Sequence, residues 1–147
     1  MATTTTRGGA RRLTPEAVRL LMTSRSALRE AHRASTPGER YAAAHLAALR
    51  AAAAVLAARA RPLDHRSARA RRPTSAWVLL TAITPELAEW AAYFAAGAGK
   101  RAAAEAGLRT AVTAREADDL LRDVATFLAL VETTVGVLPE VQLDWAG

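Results

Sequence analysis

Arg40 and His45 stand five positions apart, with four residues between them, in the stretch GERYAAAHLAALRAAAAVLAARARP, residues 38–62. Together the two side-chain types could cleave RNA without a metal. That reaction needs a base to take the 2′-hydroxyl proton and an acid to protonate the leaving 5′-oxygen, and histidine serves both near neutral pH. A fixed cation must stabilise the charge gathering on the phosphoryl oxygens, for which a guanidinium fork is suited. On a helix, however, residues five positions apart point about 140° from each other. They could meet one phosphate only across a cleft, so a second copy of the chain belongs to the catalytic reading. The other two histidines stand in similar relations, Arg25 to His32 with six intervening residues and Arg59 to His65 with five. In a chain this rich in arginine such spacings also arise from composition. His45 has a second reading. Tyr41, His45, Ala48, Ala52 and Val55 recur at four-three spacing, the seam of a packed helix, where a histidine serves as a buried hydrogen-bonding residue. Arg40, beside the helix start, would then be a solvated charge.

The other candidate chemistry is electrostatic. Arg59, Arg61, Arg66, Arg69, Arg71 and Arg72 crowd one segment with Asp64 as the only acid among them. They could neutralise several phosphates and make nucleic-acid binding steeply salt-dependent. The stacking platform of single-strand binders is missing there, because Tyr41 is the one aromatic in the basic half of the chain. Docking of this loop on the acids Glu116, Asp118, Asp119 and Asp123, of the same or a neighbouring subunit, is the alternative. Residues 1–72 carry fifteen cations against four acids, whereas residues 73–147 carry five against ten, so the molecule is polarised within its net charge of +6. In ELAEWAAYF, Leu87, Trp90 and Phe94 keep helical spacing, with Glu86, Glu89 and Tyr93 nearby. An aromatic wall with acids could make a nucleotide pocket, but core packing accounts for the stripe with less. Asp118 and Asp119 are adjacent and so point about 100° apart, wrong for a shared metal.

These residues need elements to hold them, and the elements read as helices. The chain has 147 residues, enough for one domain with its own core, and no cysteine, which excludes disulfides and thiolate metal sites. His32, His45 and His65 lack ligand spacing, so neither a metal nor a cofactor is expected. Thr14 as N-cap with Pro15 at the first position opens a first helix. Thr36 with Glu39 forms a capping-box pattern for a second that runs to about Arg61, and Thr113 with Glu116 opens the last, to about Val135. Between them SAWVLLTAI makes a short buried helix, and a long one restarts after Thr84-Pro85 and ends near Gly107. No segment alternates at period two. The expectation is all-α: an up-and-down bundle of four long helices plus one short helix over residues 13–136. It carries an arginine-rich loop at 62–74 and is flanked by a disordered tail at 1–12 and a C-terminal tail at 137–147. The N-terminus lacks an apolar signal region, and the longest apolar run, 41–58, is interrupted by His45 and Arg50. A cytoplasmic location with no membrane partner is therefore expected.

The succession RYAAAHLAALRAAAAVLAARARP, RRPTSAWVLL, PELAEWAAYFAAGA and VTAREADDLLRDVATFL resembles the actinobacterial branch of small HEPN-domain proteins, nearly throughout the chain after residue 12. The resemblance implies a four-to-five-helix bundle that is commonly dimeric. Many HEPN proteins are metal-independent ribonucleases, marked by an arginine, four to six residues and a histidine, two protomers bringing their copies together. In such members the motif usually lies late in the bundle, often with a polar residue after the arginine. Here it opens helix two, and Tyr41 follows Arg40. Other branches have lost the motif and act as RNA-binding or scaffolding modules. Three readings follow: a non-catalytic HEPN-like module binding RNA, a nucleotide or a partner protein as a homodimer; a ribonuclease using Arg40 and His45; and a structural helical dimer.

Overall fold

The computed structural model describes residues 13–59 and 75–136, and all its regular elements are helical. They are α1 (Pro15–Arg33), α2 (Pro37–Arg59), α3 (Ser75–Ile83), a 3-10 turn (Pro85–Leu87), α4 (Ala88–Ala96), α5 (Ala98–Glu105), a second 3-10 turn (Arg109–Ala111) and α6 (Ala114–Val135). The expected tails at 1–12 and 137–147 and the whole arginine-rich loop at 62–74 lie outside the described residues.

Side-chain bonds between elements give the directions. Ser24 on α1 donates to the Ala47 carbonyl and Arg50 on α2 to the Thr23 carbonyl, while Arg40 reaches Ala31, so α1 and α2 run antiparallel. Arg59 meets Glu86, His45 meets Phe94, and Gly38 lies against Ala104, so the run from the first 3-10 turn through α5 is antiparallel to α2. Arg25 of α1 binds Glu132, and Arg40 binds Asp118, which turns α6 back alongside α2. The result is an up-and-down all-α bundle, as the sequence predicts.

Helix α2 is its centre. It is long and apolar enough by composition to cross a bilayer, but half of that apolar window is buried inside the bundle. Alanine makes this possible. Ala17, Ala27 and Ala31 of α1 face Ala44, Ala47, Ala48, Ala51 and Ala54 of α2, all buried, and small side chains let the two backbones approach closely. Ser24 is fully buried there and satisfies its hydroxyl 2.7 Å from the Ala47 carbonyl oxygen. The bulky core collects on the other side of α2, where Trp77, Phe94 and Phe127 pack with ring centroids 5.0–6.5 Å apart.

The predicted caps form. Thr14 accepts from the Ala17 amide, and Thr113 and Glu116 make a complete reciprocal box. The third is half made. Thr36 accepts from the Glu39 amide, while the Glu39 carboxylate turns to the Ser35 hydroxyl. Gly136 closes α6 in the left-handed region at φ 86°.

One long helix expected over residues 85–107 is instead divided, into the 3-10 turn, α4 and α5 with a break at Gly97. The break lies against the neighbouring helix. A Cβ on Gly97 would lie 2.8 Å from the Tyr41 hydroxyl, so only glycine lets the chain pass over that side chain. Alanine at Gly97 is expected to destabilise the fold by about 1–3 kcal/mol through overpacking. Tyr41→Phe, which removes the hydroxyl, should recover part of the loss in the double variant, as read from urea unfolding midpoints.

A second bond ties α1 to α6. The Glu132 carboxylate is buried, only 4% exposed, and receives two donors from Arg25, Nε at 2.7 Å and Nη2 at 2.5 Å. Arg25→Met would leave that carboxylate without its cation, at an expected cost of about 2–4 kcal/mol. Glu132→Gln should cost less, because it removes the buried charge as well; chemical denaturation separates the two.

Candidate functional site

The two residues of the Arg40–His45 pair lie on α2, and the structure takes them to different places. Arg40 turns back over the end of α1. That helix ends at Ala34 in extended geometry, without a glycine to recover its last carbonyls. The guanidinium does so instead, with Nε 3.0 Å from the Ala31 oxygen and Nη2 3.3 Å from those of His32 and Ala34. Its remaining edge binds Asp118 on α6 at 2.7 Å. Arg40 is thus a C-cap and an interhelical tie, with four of its five N–H donors engaged.

His45 points the other way, into the aromatic core. It is 1% exposed and meets Trp77 and Phe94 edge to face, each at 6.2 Å between ring centroids. Nε2 lies 3.0 Å from the Phe94 carbonyl oxygen. A carbonyl can only accept, so the proton sits on Nε2, and Nδ1 is left as a bare acceptor. Nδ1 is buried and has no partner among the described residues. Desolvation is the largest influence on the imidazole, and the Arg101 charge adds to it; they outweigh the Phe94 bond and Glu105 and hold the pKa below 6.5. The seam reading of His45 therefore describes its place in the fold. Arg40 is not among the residues that line the recess reached by His45.

Of the arginine cluster, Arg59 is the described member. It binds Glu86 at 3.0 Å and approaches the Thr84 hydroxyl at 3.5 Å, which ties the end of α2 to the chain entering α4. Arg61, Arg66, Arg69, Arg71 and Arg72 lie outside the described residues. The stripe of Leu87 and Phe94 is core, each 1% exposed, and Trp90 is half-buried beside it. Among the described residues no group of acids and histidines is arranged to hold a metal.

A recess that the linear pattern does not show opens where α4, α5 and α6 meet over α2. It measures about 340 Å³, and its walls include Tyr41, Tyr93, Gly97, Lys100, Glu116 and Asp119, with His45 and Phe94 in its floor. Tyr93 also forms a wall of a second recess with Glu89, Trp90 and Asp123, so the two adjoin along the α4–α6 line. Within them Lys100 binds Glu116 at 2.7 Å, and the Tyr93 hydroxyl donates to Asp123 at 2.6 Å. The hydrogen bond with Lys100 lowers the Glu116 pKa and raises that of Lys100, so the pair stays ionised. Burial and the adjacent Asp123 carboxylate push the Tyr93 phenol well up, keeping it a neutral donor. Tyr41 is raised too, by burial above all, although Lys100 pulls against it. The sequence held one clue to this place, the acids and aromatic side chains of ELAEWAAYF and α6, but nothing in it brought the two helices together.

His45 makes stability depend on pH with a definite sign. Its folded pKa lies below its ordinary value of 6.5, so the unfolded chain binds the proton more readily. The contribution is whole above about pH 6.5 and is lost as pH falls below it, by at most about 1.4 kcal/mol per pH unit. Urea unfolding between pH 7.5 and 5 should show this decline in the wild type and a flatter line in His45→Gln.

A family model described as HEPN_SAV_6107-like HEPN matches residues 31–132, which include α2 to α5 and nearly all of α6. No significant match was found among curated proteins or among solved structures. With its all-α bundle and most of its length covered by that model, the chain belongs to the HEPN_SAV_6107-like HEPN family.

Proposed function

We propose that this chain is a non-catalytic HEPN module that works by binding a partner protein, itself assembled as a homodimer. The observation that carries the reading is that Arg40 and His45 are both committed to the fold. Proton transfer at a 2′-hydroxyl needs an imidazole nitrogen within hydrogen-bond reach of substrate. Here Nε2 is taken by a backbone carbonyl, and the ring is buried among Trp77 and Phe94. Transition-state stabilisation needs guanidinium donors aimed at the phosphoryl oxygens. Those of Arg40 are aimed at the end of α1 and at Asp118. A second copy could bring its own pair near, but each protomer would have to give up a cap and a core hydrogen bond to use it.

Partner protein is favoured over RNA by the surface that the described residues present. Several described arginines are tied to acids of the fold, including Arg25, Arg40, Arg59 and Arg101. The accessible recesses are lined by carboxylates, which repel phosphate.

The purified protein, incubated with a fluorescent single-stranded RNA in EDTA, is expected to leave it intact, and Arg40→Ala and His45→Gln to behave like the wild type. Cleavage by the wild type that both variants lose would overturn the reading. Sedimentation equilibrium is expected to return twice the chain mass, and a monomer would remove the dimer from it.

A further inference from the structure

Resting on the reading as a protein-binding module, we propose that the groove formed by the two recesses between α4 and α6 receives an arginine side chain from a basic peptide segment of the partner.

The chemistry of the walls points to a cation. Glu116, Asp119 and Asp123 follow one another at three- and four-residue intervals along α6, and Glu89 adds a fourth carboxylate from α4. Lys100 is the one cation lining either recess, and Glu116 already neutralises it. Asp119 also pairs with Arg122, and at 4.0 Å with Arg115, on the outer face of its own helix. Those arginines are 68% and 87% exposed, and such solvated pairs are weak enough to exchange. The groove therefore carries an excess of negative charge on a molecule whose net charge is +6.

A second observation, independent of the acids, marks the place as a receptor. Tyr41 is only 7% exposed, and its hydroxyl has no hydrogen-bond partner among the described residues. The hydroxyl ends against Gly97, where an added Cβ would lie 2.8 Å away, so it reaches the wall of the recess. The side chain is thus nearly enclosed, with its polar end open to the recess. Here the neighbouring polar groups have bonded to each other, Lys100 to Glu116 and Tyr93 to Asp123, and the Tyr41 oxygen is left to accept from a ligand N–H.

Guanidinium fits better than ammonium. It is planar, forks onto a carboxylate and stacks on an aromatic face, and the Tyr93 ring, 45% exposed, stands in the wall that both recesses share. The aliphatic stem would lie on Phe94 and Leu120. The groove runs on past Tyr93 to Trp90, which leaves room for residues next to the arginine and so favours a peptide over the free amino acid.

The test uses the full chain and a fluorescein-labelled octapeptide that alternates glycine with arginine, read by fluorescence anisotropy at low salt. Wild type is expected to bind it, and the Asp119→Asn/Asp123→Asn double variant to bind about tenfold more weakly. Tyr41→Phe should weaken binding about threefold. The lysine counterpart should bind more weakly than the arginine peptide, and a citrulline counterpart not at all. Glu30→Gln/Glu39→Gln, which removes as much charge away from the groove, should bind like the wild type. Equal losses in the two double variants would overturn the groove and leave the binding-module reading standing, as would no binding by the wild type. Binding of labelled single-stranded RNA that the groove variant loses would overturn both.

Discussion

A backbone carbonyl at the end of α4 has to be satisfied inside the protein, and the imidazole of His45 supplies the donor. Much else depends on that bond. It holds the Phe94 carbonyl, which also accepts from the Gly97 amide, and so it fixes the point at which α4 gives way to α5. One turn earlier on α2, Tyr41 lies under the same break, and the two side chains together seat it. The bond also fixes the tautomer, leaving Nδ1 as a buried acceptor without a partner, an arrangement that costs on the order of 1–3 kcal/mol. The surrounding aromatic packing offsets that cost. A histidine held in this way acts in the fold as a donor to the backbone through Nε2.

The reason so much falls on a few polar residues is the alanine of α2. A helix with small side chains packs closely but offers little shape by which a neighbour could find its register. Direction and register then come from the exceptions: Ser24 on the Ala47 carbonyl, Arg40 over the end of α1, Arg59 at Glu86, and Tyr41 with His45 under the Gly97 break. The first two join α2 to α1, and the others join it to the run from the first 3-10 turn through α5. Arginine is well matched to the task, since its long stem packs along apolar surface while its five donors reach carbonyls and carboxylates on two elements at once.

What was legible in the sequence follows from range. Caps are local, and Thr14, Thr36 and Thr113 announced three helix starts because the bonds they make close within three residues. The period of the aromatic stripe identified Leu87 and Phe94 as core for the same reason. The break at Gly97 was masked by the good helix formers on either side of Gly97 and Gly99, although two glycines so close are a local signal for one; the tyrosine that the chain crosses there lies more than fifty positions earlier. Arg40 was legible as a charge beside a helix start, but not as a cap. Its partners are the carbonyls of another helix and an aspartate seventy-eight residues on. One hint was present in hindsight: α1 ends in HRAS, with no glycine or asparagine to recover its last carbonyls, so something else had to reach them.

The same distinction between local and distant causes bears on the acids of α6. Glu116 has a local explanation, since it completes the capping box and lies in the first turn, where the helix dipole favours negative charge. The dipole's influence fades within that turn, so it accounts for neither Asp119 nor Asp123. Asp118 is accounted for by Arg40. Asp123 binds the Tyr93 hydroxyl, and Asp119 pairs only with exposed arginines of its own helix, while Lys100 has already been taken by Glu116. After the caps and interhelical ties are assigned, Asp119 is the acid of α6 that, among the described residues, binds no other helix, and it lines the same recess as Tyr93 of α4 and Tyr41.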